Sequence, residues 1–158
     1  MTEPKTKPKT EPKGLGILDG KTHVLPISVY YEDTDLSGFV YHANYLRYME
    51  RGRTEFFRLS GISKMAGLEE DEPTAWAIRS IRVDYFRPAR LDDVIQVRTT
   101  LVDLSGARLN VIQRVTLDKT LLVEGRVQAC IATLTGKPRR LPQNIRQTLA
   151  PFLVADET

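Results

Sequence analysis

Between residues 29 and 58 the sequence VYYEDTDLSGFVYHANYLRYMERGRTEFFR sets Asp33, Asp35, Gly38, His42 and Asn44 at one junction between a strand-like and a helix-like run. Three chemistries fit residues of these types. The plainest is structural: Asp and Gly make a turn, and an Asx residue or water satisfies the free N–H groups of the helix. For Asp33 taken alone this reading is preferred. The second is calcium binding, because Asp33, Asp35, Ser37 and Gly38 fall at positions 1, 3, 5 and 6 of an EF-hand loop with apolar Val40 at position 8. Position 12 demands a bidentate Glu and holds Asn44, and a strand pattern precedes the loop where a helix belongs. Calcium is therefore set aside.

The third chemistry is catalysis. A helix N-terminus presents unpaired backbone N–H groups at the positive end of the helix dipole, a fitting place for a carbonyl oxygen as it gains charge. A carboxylate just ahead of that helix acts as general base toward water or attacks the carbonyl itself. With an ordinary pKa of ~3.9 an Asp is ionised at neutral pH, as both roles require. A substrate with an activated carbonyl and a good leaving group is implied, since stronger machinery is missing. The chain has no G-x-S-x-G elbow, no H-E-x-x-H, and only His23 and His42 from which to build a triad. These residues lead to carboxylate-assisted acyl transfer or hydrolysis, with no substrate named.

The elements that must position these groups are readable. HVLPISVYY (23–31) predicts a strand with Ile27, Val29 and Tyr31 on one face. From about Ala43 to Ser60, Tyr45, Met49, Gly52, Phe56 and Leu59 recur at helical spacing, and the helix's arginines are read as its exposed face. Gly52 costs such a helix up to ~1 kcal/mol relative to Ala, so close approach to a sheet is expected there. Gly61 suits the helix end. Residues 63–71 predict a short helix or loop. Four extended runs follow, AWAIRSIRVDYFR, DVIQVRTTLVDL, ARLNVIQRVTLD and TLLVEGRVQACIATLT, with turns at Ser105-Gly106 and Asp118-Lys119. Gly125 predicts a bulge or bend in the last, and one or two helical turns are expected after Pro142. Strand, long helix, then consecutive antiparallel strands is an α+β order, with the sheet bent around the helix. The exposed edges of such a sheet predict a homo-oligomer.

Bulk properties bound the rest. The chain has 158 residues, 41% of them hydrophobic, with mean hydropathy −0.29 and pI near 9.1. That suffices for one packed domain. Of the net charge of +3, a share of +2 comes from the four lysines and two glutamates of MTEPKTKPKTEPK. The remaining balance gives no case for nucleic-acid binding. That proline-spaced tract predicts a solvated tail over 1–20, ahead of a domain over 21–142 and a C-terminal extension over 143–158. No signal peptide and no apolar run of ~20 residues is present, so a cytoplasmic protein without a transmembrane segment is expected. The single cysteine, Cys130, can form no intrachain disulfide and reads as a small buried hydrophobe.

The first motif, YYEDTDLSGFVYHANYLRYMERGRTEFFR, resembles the signature of hotdog-fold acyl-CoA thioesterases of the 4-hydroxybenzoyl-CoA thioesterase type, and most of all the branch associated with the bacterial Tol-Pal system. VDYFRPARLDDVIQV (83–97) resembles the segment those proteins carry after the helix, and the likeness spans about residues 24–142. It implies a long helix wrapped by a curved antiparallel sheet, and hydrolysis of an acyl-CoA to free acid and coenzyme A. It also implies a dimer or tetramer with sites at subunit interfaces. Asp35 matches the catalytic carboxylate, as base or nucleophile, and Gly38 the turn glycine. Backbone amides near Tyr41 and His42 match the oxyanion donors, His42 and Tyr45 line the site, and Asn44 stands at the helix start. No metal or redox cofactor is implied, coenzyme A being part of the substrate. The basic cluster Lys137, Arg139 and Arg140 is a candidate for the coenzyme A phosphates, with a solvated charged face as its alternative. Two rival functions remain at this point. One is a non-catalytic module binding acyl-CoA or an acyl carrier protein. The other is a hotdog hydroxyacyl dehydratase, for which His42 with Glu50 or Glu55 is a poor catalytic pair.

Overall fold

The computed structural model describes residues 14–62, 66–67 and 71–156. Strands β1 (Ile17–Asp19) and β2 (Thr22–Ser28) precede helix α1 (Asn44–Ser60). After it come β3 (Ala66–Gly67), β4 (Thr74–Tyr85), β5 (Val94–Ser105), β6 (Arg108–Leu117), β7 (Thr120–Thr133) and β8 (Pro138–Arg139), then α2 (Gln143–Leu149). The strands form one sheet in the order β1-β2-β5-β6-β7-β4-β3, antiparallel throughout, with β8 paired to the end of β7. This is the expected α+β hotdog architecture, a single long helix cupped by a curved sheet.

Alternation builds the concave face, since Ile95, Val97, Thr99 and Leu101 of β5 are all fully buried beneath α1. Two apolar clusters flank the middle of the helix. Tyr45, Tyr48 and Met49 pack on Val97, Val115 and Val123 at one end. Phe56 and Phe57 pack on Leu101, Val111 and Val127 at the other. Between them lies a polar seam. Gln113, fully buried, donates from Nε2 to the Met49 carbonyl (2.8 Å) and to Thr99 Oγ1 (2.9 Å), and accepts from Arg53 Nη1 at 2.9 Å. Gly52 lies against this seam as its composition requires, because a Cβ there would meet Val97 Cγ1 at 2.7 Å and Gln113 Nε2 at 3.0 Å. Gly61 ends the helix at φ 108°, in the left-handed region.

Several expectations need correction. Residues 14–20 are no solvated tail. Leu15 is clasped on both sides of its backbone, its N–H donating to Glu55 Oε2 and its carbonyl accepting from His23 Nε2, each at 2.7 Å. β1 then pairs with β2. The C-terminal extension is part of the fold, with Leu149 fully buried in the second cluster and Val154 N–H bonded to the Leu101 carbonyl at 2.9 Å. Gly125 forms no bulge. It stays in register with Val83 and Gln113 and leaves room for Met49, whose Sδ would lie 2.8 Å from an added Cβ. The irregularities fall instead at Ile78/Ser80, Leu101/Asp103 and Val115/Thr116. Tyr31 leaves the β2 face for a 3-10 turn and is exposed, as is Leu59, and Cys130 is half-buried. The arginines of α1 are not all on its exposed face, for Arg53 is buried. The tract 1–13 and most of 63–71 lie outside the described residues, within which Ala66–Gly67 is a strand. No helix of the described residues is long and apolar enough to cross a membrane.

Candidate active site

The junction folds as a frame around a cleft. Asp33 closes a 3-10 turn and is buried. Its Oδ2 accepts the Tyr30 N–H (2.8 Å) and its Oδ1 accepts Asn44 Nδ2 (2.9 Å). Both Asp33 oxygens are thereby turned to structure, which upholds its structural reading and separates it from Asp35 as a calcium pair. Burial, with the Asp33 carboxylate adding to it, raises the pKa of the Tyr48 hydroxyl beside this frame. Gly38 turns the chain at φ 81°, where no side chain crowds it, so conformation and not space selects glycine.

Asp35 is exposed. Its Oδ1 accepts both the hydroxyl (2.5 Å) and the N–H (2.8 Å) of Ser37, leaving Oδ2 for chemistry. These bonds, the hydroxyl first, hold its carboxyl below the usual carboxylate range. A cleft of about 390 Å³ opens beside it, lined by Asp35, Ser37 and His42 together with Tyr45, Tyr85 and Arg87.

α1 supplies the electrophilic half. No side chain caps its N-terminus, because the cap position is Ala43 and the Asn44 side chain is engaged with Asp33. The Tyr41 N–H already donates to the Asp33 carbonyl at 2.9 Å, which removes it as an oxyanion donor. The amides of His42 and Ala43 donate to nothing among the described residues and are the free donors of this turn. The turn is held from the other side by the second motif. The Tyr85 hydroxyl donates to the His42 carbonyl at 2.9 Å, and the Ala89 N–H donates to the Tyr45 hydroxyl at 3.0 Å. Tyr45 is buried, and burial raises its hydroxyl's pKa.

Of the residues expected at the site, Asp35, His42 and Tyr45 line the cleft. Tyr41 is half-exposed and packs its ring on His42, with centroids 4.7 Å apart. Gly38 and Asn44 shape the frame. The lining from Tyr85 to Pro88 was legible only as part of the second motif and not as site residues. The dehydratase pair is absent: Glu55 is spent on Leu15 and Arg58, and Glu50 accepts from Thr54. The basic cluster sits elsewhere. Arg139 pairs with the Glu72 carboxylate and lies in register with Ile131, which in turn faces Trp76. Nine residue steps along β4 lead from Trp76 to Tyr85, about 30 Å, so within one subunit the cluster is remote from the cleft.

A helix N-terminus with free amides, an ionised aspartate beside it and a sheet wrapped around that helix define a hotdog protein equipped for acyl chemistry. The chain belongs to the thioesterase-like superfamily, whose family model matches residues 29–149. It is 43% identical over 122 residues to the acyl-CoA thioester hydrolase YbgC of Escherichia coli O6:H1, covering 76% of this chain and 90% of that protein. The acyl-CoA thioesterase YbgC of Haemophilus influenzae is 36% identical over 122 residues, covering 77% and 89%. Among solved structures, the "Probable Thioesterase" of Bartonella henselae superposes with a TM-score of 0.72 at 37% identity, covering 77% of this chain and 98% of that one.

Proposed function

We propose that this protein hydrolyses acyl-CoA thioesters to a carboxylic acid and free coenzyme A, with Asp35 as general base or nucleophile. The observation that carries the reading is the pairing of a Ser37-held carboxylate with uncapped amides at the start of α1, on one cleft. As the thioester carbonyl becomes tetrahedral, its oxygen takes up charge opposite the His42 and Ala43 N–H groups. Asp35 Oδ2 removes the proton of the attacking water, or attacks the carbonyl carbon to form an anhydride that water opens. In either route the C–S bond breaks, and the thiolate of coenzyme A leaves and takes up a proton. The reaction calls for no metal or redox cofactor, because the thiolate is a good leaving group and water is the only co-reactant.

Asp35 lines the cleft and stands exposed. Acyl transfer to water is best served by a sheltered site, so a second copy of the chain is proposed to close it, as a homodimer or as a tetramer of such dimers. An acyl carrier protein is a further candidate carrier of the acyl group. The relatives' work on acyl-CoA and the lack of a membrane-crossing helix among the described residues support a cytoplasmic setting.

Thiol release from a panel of acyl-CoAs tests the reading, with wild type beside Asp35→Asn. The expected outcome is hydrolysis by wild type and a loss of about 10²-fold or more in kcat for the variant, the lower end for a missing general base. Equal rates for the two proteins would remove Asp35 from the mechanism. Binding of acyl-CoA by wild type without thiol release would leave only the binding module.

A further inference from the structure

Arg53 is a buried charge that the proposed chemistry does not use. Its residue is 9% exposed, and its one hydrogen bond among the described residues runs from Nη1 to Gln113 Oε1 at 2.9 Å. No carboxylate of the described residues lies within ion-pairing distance of it. Burial pushes its pKa down and Glu50, one turn earlier, pulls it back up. A cleft of about 500 Å³ lies beside it, walled by Glu50, Phe57, Trp76 and Ile78. The one carboxylate lining that cleft, Glu50 of the same chain, accepts from Thr54 and is not within ion-pairing distance of the guanidinium, so among the described residues a buried cation faces the cleft with no anion in contact.

The fold indicates where one comes from. β3 covers the outer edge of β4 only at Thr74 and Ala75, leaving Trp76 to Tyr85 without a neighbouring strand among the described residues. The unpaired N–H and C=O groups of such an edge are complemented by a second copy of the same strand. A two-fold axis normal to the sheet runs the two copies antiparallel. The middle of the open stretch lies between Ser80 and Ile81. α1 is registered against this strand by two ring contacts, Tyr45 on Tyr85 (5.7 Å) and Phe57 on Trp76 (5.5 Å, stacked). Midway between Tyr45 and Phe57 is Arg51, so an axis through the middle of the edge passes beside Arg51. Glu50 and Arg53 flank that point, and a two-fold carries each toward the other's counterpart. Glu50 is exposed and accepts only from Thr54 Oγ1, at 2.8 Å, among the described residues.

We infer that in a dimer of this chain Glu50 of each copy pairs with Arg53 of the other, giving two reciprocal ion pairs astride the two-fold axis. The inference rests on the second copy proposed above and is independent of the reaction. Molar mass by light scattering across a dilution series tests it on wild type, Glu50→Arg, Arg53→Glu and an equimolar mixture of the two variants. Wild type is expected to be a dimer. Each reversal alone sets like charges together twice and is expected to raise the dimer dissociation constant by at least about 100-fold, equivalent to ~2.8 kcal/mol. The mixture is expected to recover association as a heterodimer, because each chain supplies the sign the other lacks. A monomeric wild type would end the second-copy reading itself. A dimeric wild type with no recovery in the mixture would overturn the ion pairs alone. Where Arg53→Glu fails to fold, dimer dissociation constants for Glu50→Gln, Arg53→Met and the double variant decide. Losses that simply add mean the two side chains do not interact.

Discussion

Asp35 differs from an ordinary surface aspartate by the two bonds that Ser37 makes to a single oxygen. They favour the ionised form and hold the carboxyl below its usual range. The consequence for rate is directional. A base or nucleophile must be deprotonated, so the acid limb of the kcat/KM profile falls below the ~3.9 of a free aspartate. Ser37→Ala removes the hydroxyl, which is the larger of the two influences, and leaves the N–H. Its acid limb is therefore expected at higher pH than in wild type, with activity near neutrality retained. Steady-state thiol release between pH 3.5 and 7 reads this directly, and coincident profiles would deny Ser37 its part. The same turn shows what residue types convey on their own. Asp-x-Asp announced a site, but which of the two acids faces solvent depends on Asn44 and the Tyr30 N–H, partners that the spacing does not reveal.

At the scale of elements, α1 is held by fit on one side and by hydrogen bonds on the other. Adding a methyl at Gly52 gains up to ~1 kcal/mol in helix propensity. It also drives Cβ into Val97 and Gln113, an overpacking that costs ~1–3 kcal/mol. Gly52→Ala is therefore expected to lower stability by about 1–2 kcal/mol in urea denaturation. The clasp on Leu15 responds to acid. Burial lowers the pKa of His23, against the opposing pull of the Leu15 carbonyl and of Glu55. The unfolded chain thus binds the proton more readily, and stability drains away as pH falls from ~6.5 through the lowered folded value, by at most ~1.4 kcal/mol per pH unit. His23→Gln keeps a donor toward Leu15 and carries no titration, so its melting temperature is expected to fall less than that of wild type between pH 7 and 5. Helix and strand identities were legible because α1, β5 and β7 bury a face at their own period. The bulge expected at Gly125 is absent because the residue's reason is Met49, on another element. Arg53 was misread because the group that draws it inward, Gln113, lies 60 residues away in the chain.

For the molecule as a whole, local pattern foretold a helix in a bent sheet, and the first motif pointed to one side of the cleft where they meet. The limits of the domain were harder to see. Flanking glycines and a length of three residues hid β1, which is ordered by backbone bonds, and α2 is too short for its burial of Leu149 to show as a period. The clasp at Leu15 has a practical side. Leu15 is tied to Glu55, and a Cβ on Gly14 would touch the backbone of Leu59, so the chain enters at the far end of α1 from the cleft. Fifteen residue steps along α1 lead from Asn44 to Leu59, a rise of about 22 Å. Whatever is joined ahead of Gly14, an affinity handle, a fluorophore or a bead, starts that far from Asp35 along the helix. The amino end is accordingly the place to immobilise this enzyme for flow or single-molecule work.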